Sequence, residues 1–200
     1  MVVMITKVRL RGWRSHLDSE FVFSRGVNAL VGIVGSGKSS VTDAISFGLF
    51  GSFPALQARK LVLDDVLMDK PQRKNEAGVE VEFQANGKNY LVKRLIQRGK
   101  GSSAEMREEG TVKEVSSKSV TREVERILEM DYELFSRAVY SEQNGMDYFL
   151  RIPSGRRREH IDRMLKLDRF EAVRIEAVFL GNRIRIARDE KMRMAEDMGR

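Results

Sequence analysis

Residues 32–39 read GIVGSGKS and match the phosphate-binding pattern G-x-x-x-x-G-K-[ST] at every fixed position. The preceding run 27–31 (VNALV) is short and apolar enough for a buried strand, and Lys38–Phe50 has apolar residues at helical spacing. In such a turn the backbone N–H groups surround phosphates, the Lys38 ammonium reaches the β- and γ-phosphates, and the Ser39 hydroxyl ligates Mg²⁺. The sequence therefore predicts a nucleoside triphosphate ligand with Mg²⁺.

The composition suits one ordinary domain with or without an appendage, because 200 residues with 42% apolar content can bury a core. No run of eighteen apolar residues occurs, and charges soon interrupt the N-terminal segment, so we expect an intracellular protein without a membrane partner. Zero cysteines exclude disulfides and thiolate metal sites, and the two histidines, His16 and His160, are far apart in sequence. The only metal expected is the one that accompanies the nucleotide.

The net charge of +7 is compatible with a polyanionic partner without requiring one. Basic residues concentrate in one segment and comprise Arg151, Arg156, Arg157, Arg158, Arg163, Lys166 and Arg169. A solvated helix face and a surface that contacts phosphates would both show this pattern, so the two interpretations stay open.

Alternating apolar and polar residues predict antiparallel strands near the N-terminus and in the middle of the chain. Met4–Leu10 and Glu20–Phe23 form one predicted pair, joined by a turn within Gly12–Ser19. A second predicted hairpin has its turn at Asn86-Gly87, a dipeptide typical of two-residue hairpin loops.

The following segments predict a loop, a strand, a helix and a further strand. Arg98–Gly110 is polar and rich in Gly and Ser, which indicates a mobile loop before a short strand near Thr111–Val115. Ser117–Met130 has helical periodicity with Ser119 near a plausible cap. Phe135–Tyr140 resembles a buried strand that leads Ser141–Asn144 into a loop.

The C-terminal quarter predicts a long helix that begins after Pro153 and contains no further proline. Its apolar spacing indicates the truncated root of a coiled coil, although Gly181 costs ~1 kcal/mol relative to Ala within a helix. We therefore predict two domains, residues 1–153 and residues 154–200.

Three blocks of this sequence, in this order, resemble a known family. They are KVRLRGWRSHLDSEFVFSRGVNALVGIVGSGKSSVTDAISFGLFG (7–51), YSEQNGMDYFL (140–150) and IPSGRRREHIDRMLKLDRFEAV (152–173). From about Met4 to Val173 the chain is similar to the N-terminal lobe of SMC-like ATPases of DNA double-strand-break repair, the Rad-fifty and SbcC type of the ABC-ATPase superfamily.

The resemblance implies an α/β fold of the P-loop NTPase, ABC-ATPase head type. It implies an N-terminal lobe with a mixed β-sheet and helices, followed by the start of an antiparallel coiled coil. The implied partners are a C-terminal lobe of the same protein, which carries the signature motif and the acidic Walker B pair, a second head in an ATP-dependent homodimer, DNA, and a nuclease subunit on the coiled-coil base. A DNA-associated location in the cytoplasm or nucleoid follows.

The resemblance also implies roles for individual residues toward ATP and Mg²⁺. Lys38 and Gln143 match catalytic positions, and Ser39 and Gln143 match metal-contacting positions. The nucleotide-contacting positions match Arg14, Ser15, Val34, Gly35, Ser36, Gly37, Lys38, Ser39 and Ser40. The family usually has Asn where this chain has Val34, so hydrolysis is less directly implied than binding.

Several alternatives stay open at the level of sequence. The chain is also compatible with a chromosome-organising or recombination ATPase of SMC type, with a DNA clamp that hydrolyses little ATP, and less so with a P-loop kinase. Asp64-Asp65 after an apolar run mimics a Walker B pair, but the run is one residue short and lies too close to the phosphate loop. Trp13 could stack on a base or pack in a turn, and His16 is expected to be structural or solvent-facing.

Overall fold

A computed structural model describes residues 3–140, 153, 155, 162 and 168–198 of the chain. The chain divides into two compact units, Met1–Gln143 and Asn144–Arg200. The predicted domain boundary after residue 153 stays a prediction. None of the described helices has the length and apolar character needed to span a bilayer.

The first unit is built on a six-stranded sheet with the order β2-β1-β3-β4-β5-β6. The strands are β1 Val3–Trp13, β2 His16–Val22, β3 Glu76–Ala85, β4 Lys88–Gln97, β5 Gly101–Glu108 and β6 Thr111–Val115. Every pairing between these strands is antiparallel. Because side chains alternate between the two faces, Val79, Val81 and Phe83 of β3 are buried on one face and Glu80 and Glu82 lie on the other.

Helices cover the apolar face of this sheet. The described helices of the first unit are α1 Lys38–Phe50, α2 Pro54–Gln57, a 3₁₀ helix Leu63–Val66, α3 Ser117–Leu128, and α4 Tyr132–Leu134, which continues as a π-helical turn Phe135–Val139. At Gly48 of α1 a Cβ atom would lie only 2.3 Å from Cγ2 of Val81, so the missing side chain lets α1 pack directly on β3. The predicted α/β class is confirmed.

Both predicted hairpins are confirmed. Trp13 pairs with His16, so the turn between β1 and β2 is shorter than predicted and consists of Arg14 and Ser15. Asn86 and Gly87 have φ angles of 52° and 77°, the left-handed conformation that a type I′ turn requires.

The helix prediction for Ser117–Met130 is also confirmed by α3, but its cap is one that the sequence prediction missed. The side-chain oxygen of Ser116 accepts a hydrogen bond of 3.2 Å from the Ser119 backbone N–H. Ser119 is therefore the donor at this cap rather than the capping residue.

The predicted loop over Arg98–Gly110 is wrong, because most of it forms β5. This strand pairs with β4 from Gly101 to Glu108. Only two of its side chains, Ala104 and Met106, are buried apolar groups, so the pattern was too short to stand out from the polar residues around it. Pairing with a neighbouring strand, rather than local preference, determines the conformation.

The predicted strand over Phe135–Tyr140 is also wrong, because this segment begins in a π-helical turn. The Asp131 carboxylate accepts a hydrogen bond of 2.9 Å from the Leu134 N–H and starts a helical turn just before it. The Phe135 ring then packs 4.8 Å from that of Phe50. An apolar run this short fits a buried helical turn as well as a strand.

The predicted buried strand over residues 27–31 is not formed. Val27 and Val31 are 99% and 93% exposed, and the segment is irregular. A strand needs partners for its backbone groups, and none of the described strands pairs with this segment.

The second unit contains α5, Asp168–Met198, which continues through Gly181. The predicted helix start after Pro153 falls on residues outside the described ones.

Arg94 of β4 holds the C-terminal end of α1. It is only 2% exposed, and its guanidinium donates to the carbonyl oxygens of Gly48 (2.8 Å) and Leu49 (3.1 Å) and to the Thr121 hydroxyl on α3 (2.9 Å). Burial lowers the pKa of Arg94 to about 10, which still leaves it charged at neutral pH. The cation therefore sits where the helix dipole is negative and joins two helices to the sheet.

We expect Arg94→Ala to lower the free energy of unfolding by about 2–4 kcal/mol, because it leaves buried carbonyl groups without a donor and opens a cavity. The matched control is Lys93→Ala on the same strand, where an exposed ion pair with Glu80 is worth at most about 1 kcal/mol. Urea unfolding of both variants measures the difference, and equal losses would contradict the assigned role of Arg94.

Candidate functional site

The loop of residues 32–39 wraps back on itself at the start of α1. The Ser36 N–H donates to the Ile33 carbonyl oxygen over 3.2 Å, and the glycines Gly35 and Gly37 have φ angles of 85° and 93°. These left-handed angles suit glycine and turn successive backbone N–H groups toward one side. Among the described residues no side chain caps α1, which leaves the N-terminus of the helix open to an anion.

The Lys38 ammonium lies inside this loop. It donates to the carbonyl oxygens of Gly32 and Ile33, each over 2.7 Å. A positive charge and a helix N-terminus therefore meet within one turn of chain, which is the arrangement that binds phosphate groups.

The β1–β2 turn presses against the same loop. A Cβ atom on Gly37 would lie 2.4 Å from the Ser15 hydroxyl oxygen and 2.6 Å from Nε2 of His16. His16 is buried, and its Nε2 lies 3.2 Å from the Gly37 carbonyl oxygen. Because a carbonyl oxygen only accepts, this bond requires a proton on Nε2, which leaves Nδ1 to face the Ser19 hydroxyl at 3.1 Å. His16 is thus a structural residue of the loop.

Trp13 packs in the core and presents no exposed surface. It is fully buried, with its ring 5.3 Å from Phe47 and 6.1 Å from Phe53. Its indole N–H donates to the Ser40 carbonyl oxygen over 3.1 Å and ties the first turn of α1 to β1. The stacking interpretation of Trp13 is therefore wrong, and the packing interpretation is confirmed.

Arg14 points from the turn toward α1. Its φ angle is 48°, and its backbone N–H donates to the Val66 carbonyl oxygen over 2.7 Å. Its guanidinium donates to the Asp43 carboxylate over 2.5 Å and lies 5.2 Å from the centre of the Phe53 ring. Arg14 therefore lies beside the loop with its charge directed at Asp43.

The remaining predicted residues are distributed as follows. Ser39 is exposed in the first turn of α1, and Val34 is 99% exposed in the loop. Ser40 is buried, and its N–H donates to the Gly37 carbonyl oxygen over 2.9 Å. Gln143 lies outside the described residues. The structure thus brings the β1–β2 turn and residues 32–40 together at one end of α1.

The acidic pair Asp64-Asp65 is occupied by backbone groups. Both carboxylate oxygens of Asp64 accept from the Gly99 N–H at 3.2 Å, and Asp65 accepts from the Val62 N–H at 2.8 Å. These bonds explain the two carboxylates as parts of a 3₁₀ helix and its contact with the β4–β5 turn. Among the described residues no group of three or more His, Asp or Glu side chains could hold a metal ion.

Asp43 was not predicted as a residue of the site, whereas His16, expected to be structural or solvent-facing, is structural. Asp43 had a usable signal, because it is the only charged residue of α1 beyond Lys38. The contact between His16 and Gly37 had no signal in the sequence, because only the folded turn brings the two residues together.

We expect Gly37→Ala to destabilise the first unit more than Gly35→Ala does. Both changes put a side chain at a left-handed φ angle, which costs about 1–2 kcal/mol, but the added Cβ meets Ser15 and His16 only at Gly37. Overpacking of this kind adds about 1–3 kcal/mol. Thermal unfolding of the two variants measures the gap, and equal shifts would show that the turn does not press on the loop.

Comparison with known proteins agrees with this geometry. A family model described as an AAA domain matches residues 7–191. The DNA double-strand break repair Rad50 ATPase of Thermoplasma volcanium is 31% identical over 176 residues, covering 85% of this chain and 18% of that protein. The protein of the same name from Methanopyrus kandleri is 34% identical over 182 residues, covering 87% and 20%. The chain thus spans about a fifth of the length of these relatives.

A solved structure from a study of ATP-driven dimerization and DNA-stimulated activation of SMC ATPases shares the fold. Its TM-score is 0.64 at 22% identity, covering 79% of this chain and 97% of that one. This chain therefore belongs to the AAA-domain family, and it is similar to Rad50 ATPases in sequence and to an SMC ATPase in fold.

Proposed function

We propose that this chain is the ATP-binding half of a split ABC-type ATPase head. With a C-terminal lobe it binds and hydrolyses ATP, and the nucleotide drives two heads together on DNA in double-strand-break repair with a nuclease partner. The observation that carries the proposal is the loop of residues 32–39, where Lys38 and the N-terminus of α1 converge.

The residues around the loop fit a triphosphate with Mg²⁺. The positive φ angles of Gly35 and Gly37 open the backbone toward an anion, and the Lys38 ammonium is already held at the centre by two carbonyl oxygens. Bound ATP·Mg²⁺ supplies the phosphoanhydride bond and a neutralising cation. In this assignment Lys38 balances the phosphate charge, Ser39 offers its hydroxyl to the metal, and Gln143 orients water.

An apolar groove on the first unit supports the docking of a C-terminal lobe. The groove has a volume of about 940 Å³, and its lining includes Ile45 and Leu49 of α1, Phe83 of β3 and Phe135. Next to it lies the irregular segment that contains Val27 and carries four highly exposed apolar side chains. Exposed apolar surface of this kind marks an interface, and a further lobe would supply the missing strand partner for residues 27–31.

The spacing of apolar residues along α5 supports a coiled coil. Val173, Leu180, Ala187 and Met194 follow one another at intervals of seven, and Phe170, Ala177 and Ile184 lie three residues before the first three of them. Val173, Leu180 and Ile184 are 66%, 53% and 69% exposed within the second unit. Such a seam is typical of a helix that packs along a partner helix.

DNA enters the proposal through the relatives, whose name places them in DNA double-strand break repair. The nuclease partner enters through the family resemblance of the three sequence blocks. The basic cluster of residues 151–169 is compatible with DNA contact, and most of it lies outside the described residues. Head dimerisation is supported by the shared fold with an SMC ATPase.

The complete head, this chain with its C-terminal lobe, should bind ATP in a Mg²⁺-dependent manner and hydrolyse it. We expect Lys38→Ala to lower kcat at least about a hundredfold, because the transition-state charge loses its nearest cation. Lys60→Ala, which removes an exposed lysine outside the loop, is the matched control. Residues 1–200 alone should hydrolyse almost no ATP, since the acidic Walker B pair and the signature motif belong to the other lobe.

Isothermal titration calorimetry and phosphate release measure these outcomes. Brisk hydrolysis by residues 1–200 alone would contradict the split-head assignment. ATP uptake without turnover by the complete head would favour the DNA clamp instead. A chromosome-organising ATPase would be indicated by a globular hinge, rather than a zinc-binding CxxC hook, in the middle of the coiled coil.

A further inference from the structure

Asp43 occupies a position on α1 that links three parts of the first unit. It lies one helical turn beyond Ser39, and its side chain is only 13% exposed. A carboxylate in a nearly enclosed position needs partners that compensate its lost hydration. Asp43 has such partners on both of its oxygens.

The two carboxylate oxygens of Asp43 accept hydrogen bonds from residues near the beginning and near the end of the first unit's sequence. Oδ2 accepts from Nη1 of Arg14 at 2.5 Å, and Oδ1 accepts from the Tyr140 hydroxyl at 2.6 Å. Arg14 belongs to the β1–β2 turn, and the two residues that follow it, Ser15 and His16, contact Gly37. Tyr140 directly follows the π-helical turn and lies three residues before Gln143.

Neither partner depends on Asp43 alone for its local placement. Arg14 is also held by its backbone bond to Val66 and by the Phe53 ring. The Tyr140 N–H donates to the Phe135 carbonyl oxygen over 2.8 Å, and its ring lies 6.3 Å from that of Phe135. The carboxylate therefore contributes chiefly the alignment of the two segments with α1, which begins at the phosphate loop.

We propose that Asp43 is a positioning residue that aligns Arg14 and the chain leading to Gln143 with the phosphate loop. This inference rests on the proposed function, because it concerns how nucleotide contacts at one end of α1 reach the glutamine. The carboxylate holds both partners at a fixed place on α1, one helical turn beyond Ser39, through two short hydrogen bonds, one of them charge-assisted.

Tyr140→Phe tests the link with the loss of a single oxygen atom. In the complete head we expect kcat for ATP to fall about tenfold while KM stays close to the wild-type value, because Tyr140 loses its alignment with α1 while the fold remains. The unfolding temperature should fall by only roughly a few degrees, the cost of leaving one oxygen of Asp43 without this partner. The matched control is Tyr90→Phe, which removes the same atom from a buried sheet tyrosine that stacks on Phe83. It should keep wild-type kcat.

Hydrogen exchange provides a second readout that does not need turnover. ATP·Mg²⁺ should slow amide exchange over residues 141–145 in the wild-type head, and this response should be lost in both Tyr140→Phe and Asp43→Ala. A double-mutant cycle of Arg14→Gln with Tyr140→Phe should be non-additive in kcat, since both bonds end on one carboxylate.

The outcomes separate the two proposals. A wild-type head that takes up no ATP overturns both of them. A head that binds and hydrolyses ATP, with Tyr140→Phe like wild type in kcat and in exchange, overturns the role of Asp43 alone. ATP binding without turnover refutes hydrolysis. In that case the hydrogen-exchange response of Tyr140→Phe and Asp43→Ala alone tests the positioning role of Asp43. Activity lost only in proportion to the unfolded fraction would show that the contact merely stabilises the fold.

Discussion

The close approach of the β1–β2 turn to the backbone of Gly37 is the contact on which the site depends. Ser15 and His16 fill the space that a side chain at position 37 would take, so the last glycine of the loop is packed on one side by protein. The other side of the loop is left for the Lys38 ammonium and the N-terminal N–H groups of α1. The loop is thereby supported from behind while its polar groups face outward, which is the preorganisation that anion binding needs.

Helix α1 is held to the sheet at both ends, and this gives the loop a rigid base. Trp13 binds the Ser40 carbonyl group at the beginning of the helix, and Arg94 binds the Gly48 and Leu49 carbonyl groups at its end. Both anchors are buried and come from strands of the sheet. Asp43 lies between them along the helix and binds Arg14 of the β1–β2 turn and Tyr140, which follows the π-helical turn.

Much of the local structure could be predicted from the sequence because it rests on short-range rules. The Asn86-Gly87 turn, the helix after the phosphate loop and the helix of α3 follow from turn geometry and periodicity. The errors fall where partners distant in sequence decide the conformation. β5 forms because it pairs with β4. Residues 27–31 remain irregular because none of the described strands pairs with them.

The sequence by itself determined the phosphate-binding motif and its lysine, because eight contiguous residues carry that pattern, and it determined the family resemblance through three longer blocks. Only the tertiary structure decided that Trp13 is a core anchor, that His16 supports Gly37 and that Asp43 joins Arg14 to Tyr140. The physical reason is that these contacts span 21 to 97 positions of chain. Burial and hydrogen bonding over such separations depend on the packed sheet and helices, which local patterns do not encode.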